Sequence, residues 1–222
     1  MFGMLYDFDG LLVDSESAGL VSWQEVYAKH GHELDLAQWL AEVAAGRGPC
    51  MPREQLEALV RSEIDWEPVE VDRLRRRNEL LVARPGVERH LTEVKKHGLP
   101  IGIVSNAPSW WIEEQLTRTN LRRFEFDVVV TKSTNVAKKP SPAAYLAALE
   151  QLGVELSGVL AFEDSPIGIS AAKRAGLRCI GIPNSVTETF DLGEADVICS
   201  RIDEYPISQY LRMLTSDVDG VI

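Results

Sequence analysis

The chain has 222 residues, of which 45% are hydrophobic and 26% are charged, so it can bury a sizeable core and is not disordered. Its formal net charge of −11 disfavours nonspecific binding to nucleic acid or to an anionic membrane. Its three cysteines are an odd number without close spacing, which argues against a disulfide framework or a zinc site.

No basic segment followed by an apolar one opens the chain, and no apolar run is long enough to cross a membrane. We therefore expect a cytoplasmic protein. Nothing in the sequence requires a partner chain, so we also expect a monomer.

The first part of the chain predicts one strand followed by helices. The apolar run at residues 2–8 predicts a buried strand. Asp14 is a suitable cap for a helix that ends near residue 30. No convincing strand candidate lies between residues 14 and 84, so we expect a block of helices inserted after the first strand. The further helices of this block are predicted at residues 36–43, 54–60 and 69–82.

The rest of the chain alternates between strands and helices after a break at Arg84-Pro85-Gly86. The strands are continuous apolar runs, which is typical of a parallel sheet that is covered on both faces. Parallel strands need right-handed crossovers, so the pattern predicts a doubly wound α/β domain. Strands are predicted at residues 100–104, 127–131, 159–162, 179–182 and 196–199, and helices at 87–97, 110–119, 142–152 and 168–175.

Two acidic residues, Asp7 and Asp9, end the first predicted strand. Residues i and i+2 of an extended chain point to the same side, so both carboxylates can enter one pocket. Gly10 lets the chain turn sharply behind them. Two carboxylates so close repel each other, so the pair needs a cation or a role for one neutral and one charged acid. The alternative is a solvated acidic turn.

Further polar residues lie near later strand ends, which is where ligands bind in doubly wound folds. Ser105 and Asn106 can hold phosphate oxygens, and Lys139 can bring a positive charge to a phosphate or a carboxylate. Glu163 and Asp164 can complete an oxygen shell for Mg²⁺. Each feature alone also fits a helix cap or a solvated side chain. Their combination indicates an active site.

Four segments carry a family resemblance: DFDGLLVDSE, IVSNA, KKPSPAAY and FEDSPIGISAAKRAGL. In this order they resemble the four motifs of the haloacid dehalogenase superfamily of phosphatases, and within it the β-phosphoglucomutase-like branch. The resemblance covers residues 1–13 and about 85–200. It implies a Rossmann-like core domain with an inserted α-helical cap. We therefore expect a core domain of residues 1–13 and 85–222 and a cap domain of residues 14–84.

The resemblance also implies a role for each motif residue. Asp7 would be the nucleophile that forms an aspartyl-phosphate, and Asp9 would be the acid/base. The side chains of Asp7 and Asp164 and the backbone carbonyl of Asp9 would bind Mg²⁺, assisted by Glu163, directly or through a water. The residues that would bind the phosphoryl oxygens are Ser105, Asn106 and Lys139.

Two positions favour hydrolysis of a phosphate ester. The dehalogenases of the family lack an acid at the position of Asp9, and a leaving alkoxide needs a proton whereas a leaving halide does not. The mutase of this branch carries a histidine where this chain has Gly19, although His30 or His32 can take its place if the helix runs differently. We predict a Mg²⁺-dependent phosphatase of a small phosphorylated metabolite, such as a sugar phosphate. The alternatives are a hexose-phosphate mutase and a noncatalytic phosphate-binding module.

The residues that select the substrate are less well defined. Arg47, in a Gly-rich turn, and Arg53 are candidates for bidentate contact with a second anionic group, and a surface position is the alternative for both. Trp110 and Trp111 follow the second motif, and packing is a better explanation for them than a place in the cleft. Residues 217–220 repeat the DxDG pattern, but no apolar strand leads into them, so we interpret them as a frayed terminus.

Overall fold

A computed structural model describes residues 2–44 and 52–215 of the protein. Within these ranges the chain forms six strands: β1 (Gly3–Tyr6), β2 (Ile101–Val104), β3 (Val128–Val130), β4 (Val159–Glu163), β5 (Arg178–Gly181) and β6 (Val197–Ile198). All neighbouring strands are parallel, and their order is β3-β2-β1-β4-β5-β6. The predicted doubly wound α/β fold is confirmed.

The helices agree with the predicted ones to within a few residues, apart from the last. Four of them follow β1 directly: α1 (Ser15–Lys29), α2 (Leu36–Ala44), α3 (Pro52–Val60) and α4 (Trp66–Leu80). The others are α5 (Val87–Lys96), α6 (Ser109–Arg118), α7 (Ala143–Leu152), α8 (Pro166–Arg174) and α9 (Ile207–Thr215). The sequence analysis did not predict α9, although its buried residues contact the sheet layer.

The strands are apolar apart from Glu163 at the end of β4 and Arg178 at the start of β5, because both faces of the sheet are covered. Met4 and Tyr6 pack into the layer that contains α5, α6 and α9, whereas Leu5 between them packs against α7 and α8. This alternation follows from the two-residue period of a strand. Every residue of β1 is buried. A central strand of this kind needs apolar side chains in both directions, which explains the continuous runs in the sequence.

The four helices between β1 and α5 have a hydrophobic core of their own. Its buried side chains are Trp23 and Tyr27 of α1, Trp39 of α2 and Leu56 of α3, and Trp66 of α4 packs against them. These helices therefore bury their apolar faces mainly against one another. This separate core supports the expected division at residues 14–84, which stays a prediction.

The two chain segments that join these helices to the sheet run side by side. The Asp14 N–H donates to the Val82 carbonyl at 2.9 Å, and the Arg84 N–H donates to the Leu12 carbonyl at 3.0 Å. An antiparallel bridge lies between these two hydrogen bonds. The outgoing and the returning segments thus form a short two-stranded ribbon.

A buried histidine, His90 of α5, lies in the layer beneath the sheet and is only 2% exposed. Its Nε2 atom is 2.8 Å from the hydroxyl oxygen of Tyr6, and the rings of Phe162 and Tyr210 contact it edge-on. Burial among these rings lowers the pKa of His90 from its ordinary value of 6.5 to about 3. The folded protein therefore holds this imidazole in its neutral form.

This burial predicts a specific pH dependence of stability. Between about pH 6.5 and pH 3 the unfolded chain binds a proton at His90 that the folded chain does not bind, so the free energy of unfolding should fall as the pH falls. His90→Phe should flatten this part of the curve, by up to a few kcal/mol relative to the wild type. Urea unfolding at several pH values measures the effect. The exposed His97→Gln variant is the control, and parallel curves for all three proteins would contradict the prediction.

Candidate active site

Three neighbouring strands bring the predicted site residues to one edge of the sheet. Asp7 follows β1, Ser105 follows β2 and Asp164 follows β4, and β1 lies between the other two strands. The chain crosses to opposite sides of β1 at this point, which is where doubly wound sheets open a crevice. A cleft with an open volume of about 670 Å³ lies there, lined among others by Asp7, Asp9, Ser105, Asn106, Lys139 and Asp164.

A tight turn after β1 directs the two aspartates into this cleft. Gly10 has a φ angle of +79°, which glycine adopts without strain, and its N–H donates to the Val13 carbonyl at 2.8 Å. A β-carbon at Gly10 would collide with the carboxylate of Asp164. The Gly10 carbonyl accepts hydrogen bonds from Asn184 at 3.1 Å and from Arg84 at 2.7 Å. Glycine is therefore required both for the turn and for the close approach of Asp164.

Lys139 is the cation at the centre of the site. Its Nζ atom donates to Asp7 Oδ1 and to Glu163 Oε1, each at 2.6 Å, and Lys139 is only 6% exposed. Burial favours a neutral amine, but the carboxylates of Asp7 and Glu163 outweigh it and raise the pKa of Lys139. The hydroxyl of Tyr145 donates to the same Glu163 oxygen at 2.5 Å. The ammonium group thus remains charged between two buried acids.

Three buried carboxylates, from Asp7, Glu163 and Asp164, form an acidic cluster, with one oxygen of each lying within 4.8 Å of the others. Burial, followed by the charge of Asp7, raises the pKa of Asp164 well above its ordinary range, and burial raises the pKa of Glu163 to about 7. Glu163 Oε2 is buried and has no hydrogen-bond partner among the described residues. An oxygen-rich cluster with an unpaired buried oxygen fits a hard cation such as Mg²⁺.

Asp9 is held by a residue that the sequence analysis assigned to packing. The indole N–H of Trp111 donates to Asp9 Oδ1 at 2.9 Å, although the ring is also part of the core beside the sheet. Burial raises the pKa of Asp9, the Trp111 hydrogen bond opposes this increase, and the charge of Asp7 adds to it. The sequence shows a tryptophan in the first turn of the helix after the second motif. This position does not show where the indole N–H points, so the contact with Asp9 could not be predicted.

Ser105 and Asn106 lie at the end of β2 as expected, with different surroundings. Ser105 Oγ accepts the N–H of Ala107 at 3.0 Å, so its own hydroxyl proton can be donated elsewhere. The Asn106 side chain pairs with the backbone of Lys139: its Oδ1 accepts the Lys139 N–H at 2.9 Å, and its Nδ2 donates to the Lys139 carbonyl at 3.2 Å. Asn106 therefore fixes the position of Lys139, and its predicted contact with phosphate stays a prediction.

The helical segment contributes two further residues to the cleft. Glu16, in the first turn of α1, and Val43 of α2 line it together with the acids of the sheet edge. Burial, followed by the charge of Asp9, raises the pKa of Glu16 to about 7. Glu16 was not predicted as a site residue. The sequence signal that could have identified Glu16 is its place at the end of the first motif, DFDGLLVDSE.

The predicted specificity arginines have different outcomes. Arg53 is not among the residues that line the cleft. Its guanidinium lies over the Trp66 ring at 4.7 Å and 4.0 Å from Glu70, on neighbouring helices. Arg47 lies outside the described residues, as do residues 217–220.

Comparison with known proteins agrees with this geometry. Residues 4–182 match the sequence profile described as haloacid dehalogenase-like hydrolase. The chain belongs to this family of hydrolases. A candidate phosphatase of Bacillus subtilis, YhcW, is 36% identical over 218 residues, which cover 96% of this chain and 97% of YhcW. The phosphorylated carbohydrates phosphatase of Thermotoga maritima is 31% identical over 201 residues and covers 89% of this chain and 93% of its own.

Among solved structures, a haloacid dehalogenase family hydrolase from Deinococcus radiodurans, crystallised with bound phosphate and sodium, superposes with a TM-score of 0.79. It is 25% identical and covers 96% of both chains. The predicted superfamily and the predicted hydrolase are thus confirmed. The relatives that are named as phosphatases indicate that this hydrolase cleaves phosphoric monoesters. None of the helices in the described ranges has the length and apolarity needed to span a membrane.

The position of Lys139 in this haloacid dehalogenase-like site predicts that it stabilises the fold. Lys139→Met keeps most of the side-chain volume but leaves Asp7 and Glu163 buried and facing each other without a cation. We expect the free energy of unfolding without added metal to fall by about 3–5 kcal/mol. Urea unfolding measures it. The neighbouring, exposed Lys138→Met variant should match the wild type, and equal stability of the two variants would show that the cluster does not depend on Lys139.

Proposed function

We propose that this hydrolase is a Mg²⁺-dependent phosphatase of small phosphorylated metabolites, and that sugar phosphates are the class to test first. The observation that carries the proposal is the pair Asp7 and Asp9 in the lining of one cleft, with Lys139 and two more buried carboxylates next to Asp7. The relative from Thermotoga maritima, named for phosphorylated carbohydrates, supports the substrate class.

In this proposal Asp7 and Asp9 divide the chemistry. A carboxylate oxygen of Asp7 attacks phosphorus, the bond to the alcohol oxygen breaks, and an aspartyl-phosphate forms on Asp7. Asp9 gives its proton to the departing oxygen. Asp9 then accepts a proton from a water that attacks the same phosphorus. Phosphate leaves, Asp7 is free again, and Asp9 has regained its proton.

The other residues reduce the negative charge that meets at phosphorus. Lys139 neutralises part of the charge on Asp7, and the Ser105 hydroxyl is free to donate to a phosphoryl oxygen. Asp7, Glu163 and Asp164 would hold the cation, together with the backbone carbonyl of Asp9. When bound, Mg²⁺ would supply positive charge between these carboxylates and the phosphoryl group.

The cleft is suited to a small polar substrate. Polar and charged side chains make up most of its lining, and the carboxyl group of Glu16 can accept hydrogen bonds from substrate hydroxyl groups. Asn184 and Arg84 support the wall beside Asp164, so the phosphate end is fixed. Residues of α1 and α2 also line the cleft, and in this proposal they select the rest of the substrate.

Among the described residues, no histidine lines the cleft in place of the one that the mutase of this branch carries. Gly19 lies on α1, where an added β-carbon would lie 3.8 Å from Trp39. Within the described ranges, neither His30 nor His32 lines the cleft, and the Nδ1 atom of His30 is 2.9 Å from the Val26 carbonyl oxygen. These positions favour hydrolysis over transfer of the phosphoryl group between sugar hydroxyls.

The first test is phosphate release from a panel of sugar and other small phosphate monoesters, with Mg²⁺ and with EDTA. We expect turnover that needs Mg²⁺, and Asp7→Asn should lower it by at least about 10³-fold because the nucleophile is lost. The exposed Asp72→Asn variant is the matched control. Lack of turnover on every ester, or full activity of Asp7→Asn, would reject the phosphatase. Interconversion of glucose 1- and 6-phosphates primed by a bisphosphate would instead support the mutase.

A second test separates the roles of the two aspartates. The nitrophenolate of p-nitrophenyl phosphate leaves without a proton, so Asp9→Ala should still phosphorylate Asp7 but should hydrolyse the aspartyl-phosphate slowly. Rapid mixing should show a burst of about one nitrophenol per active site, followed by turnover at least about 100-fold slower than wild type. Asp7→Asn should show no burst. A slow first turnover in Asp9→Ala would contradict the assigned division.

A further inference from the structure

The hydrogen bond between Trp111 and Asp9 joins the core of the sheet layer to the acid/base. The indole is 9% exposed, and its N–H donates to one particular oxygen, Oδ1, at 2.9 Å. A buried indole N–H needs an acceptor, and here the acceptor is the carboxyl group that has to deliver a proton. Because a protonated carboxyl oxygen is the poorer acceptor, this bond favours Oδ2 as the oxygen that carries the proton for the leaving alcohol.

One face of the Trp111 ring is covered by a residue of the helical segment. The guanidinium of Arg77, on α4, lies 4.3 Å from the centroid of the Trp111 ring. Its positive charge also interacts with Asp9 and Glu16, and its Nε atom is buried without a hydrogen-bond partner in the described part of the chain. A stacked guanidinium restricts rotation of the indole and keeps water from its face.

We propose that Trp111 is a positioning residue that orients Asp9 for proton transfer, and that Arg77 holds Trp111 in place only while α4 keeps its guanidinium stacked on the indole. This inference rests on the proposed phosphatase function and on the assignment of Asp9 as the acid/base. It links the helical segment to the chemistry: if α4 moves away from α6, the indole loses its cover and Asp9 loses its fixed orientation.

The consequence differs between substrates according to the leaving group. An alkyl phosphate releases a strongly basic alkoxide that needs the proton of Asp9, whereas p-nitrophenyl phosphate releases a stable anion that does not. A residue that merely packs the core would affect both substrates alike. A residue that orients the proton donor should slow formation of the aspartyl-phosphate from the alkyl ester and leave its formation from p-nitrophenyl phosphate unchanged.

The main experiment compares Trp111→Phe with the wild type in Mg²⁺ on a sugar phosphate that the wild type hydrolyses and on p-nitrophenyl phosphate. We expect kcat on the sugar phosphate to fall by about 10- to 100-fold, with KM changed by less than about 3-fold. The rate of the first nitrophenol release should stay within about 3-fold of wild type. Trp110→Phe, on the exposed neighbouring position of the same helix, is the control and should behave as wild type.

A double-mutant cycle tests the part of Arg77. Arg77→Met should lower kcat on the sugar phosphate in the same substrate-dependent way, and the double variant with Trp111→Phe should lose no more than about 3-fold beyond Trp111→Phe alone, because both act through Asp9. Arg75→Met, on the exposed side of α4, is the matched control. Additive losses would show that Arg77 acts independently of Trp111.

The outcomes distinguish this inference from the proposed function. A wild type without activity on either ester rejects the function itself. An active wild type, with the first nitrophenol release slowed in Trp111→Phe as much as turnover of the sugar phosphate, overturns only the positioning role. If Trp111→Phe does not fold, incorporation of benzothienylalanine at position 111 keeps the ring shape and removes the N–H, and the same substrate-dependent loss is then required.

Discussion

The site depends on one buried ammonium group. Lys139 bonds Asp7 and Glu163, and the third carboxylate of the cluster, Asp164, lies close by without a bond to Lys139. Ionised together, the three carboxylates leave a local excess of two negative charges in surroundings where isolated charges are costly. Lys139 reduces this cost enough for the acids to stay packed at the sheet edge, and the remaining excess creates the demand for a second cation. In the proposed reaction, an anionic substrate would approach Asp7 with both positive charges in place.

The same lysine connects distant parts of the chain. Asn106, at the end of β2, holds the Lys139 backbone on both sides, while Glu163, at the end of β4, is bonded by Tyr145 of α7. Glu163 also lies against Gly168, where the chain has no room for a β-carbon. The order of the strands and the position of the Lys139 loop therefore together determine whether each buried carboxylate has a partner. A shift of any of these strands would leave a carboxylate buried without its partner.

Most of the fold and of the acidic site could be predicted because local signals specify them. Continuous apolar runs predicted the strands. The position of polar residues near strand ends predicted Asp7, Asp9, Lys139 and Asp164 as site residues, and the structure brings them into one cleft. The omitted helix α9 is as long as α2, α3 and α8, and its buried residues Ile207, Tyr210 and Met213 recur at helical spacing, so a local signal was present and was missed. Trp111 and Glu16 could not be assigned because their contacts depend on how α6 and α1 approach the turn after β1, a long-range property that residue spacing does not carry. Arg53 is the opposite kind of case: its charge suited it for substrate binding, but in the structure its guanidinium contacts Trp66 and Glu70 of the neighbouring helix.

The short ribbon between the sheet and the inserted helices limits how those helices can move. Its two segments are bonded to each other through Asp14 with Val82 and Arg84 with Leu12, so one segment cannot slide along the other without breaking both bonds. Arg84 also anchors the returning segment to the carbonyl of Gly10, inside the turn that carries Asp9. Sliding one segment along the other would break these bonds, whereas bending both together would not. The attachment is therefore more resistant to sliding of the inserted helices along the sheet than to a change in their tilt.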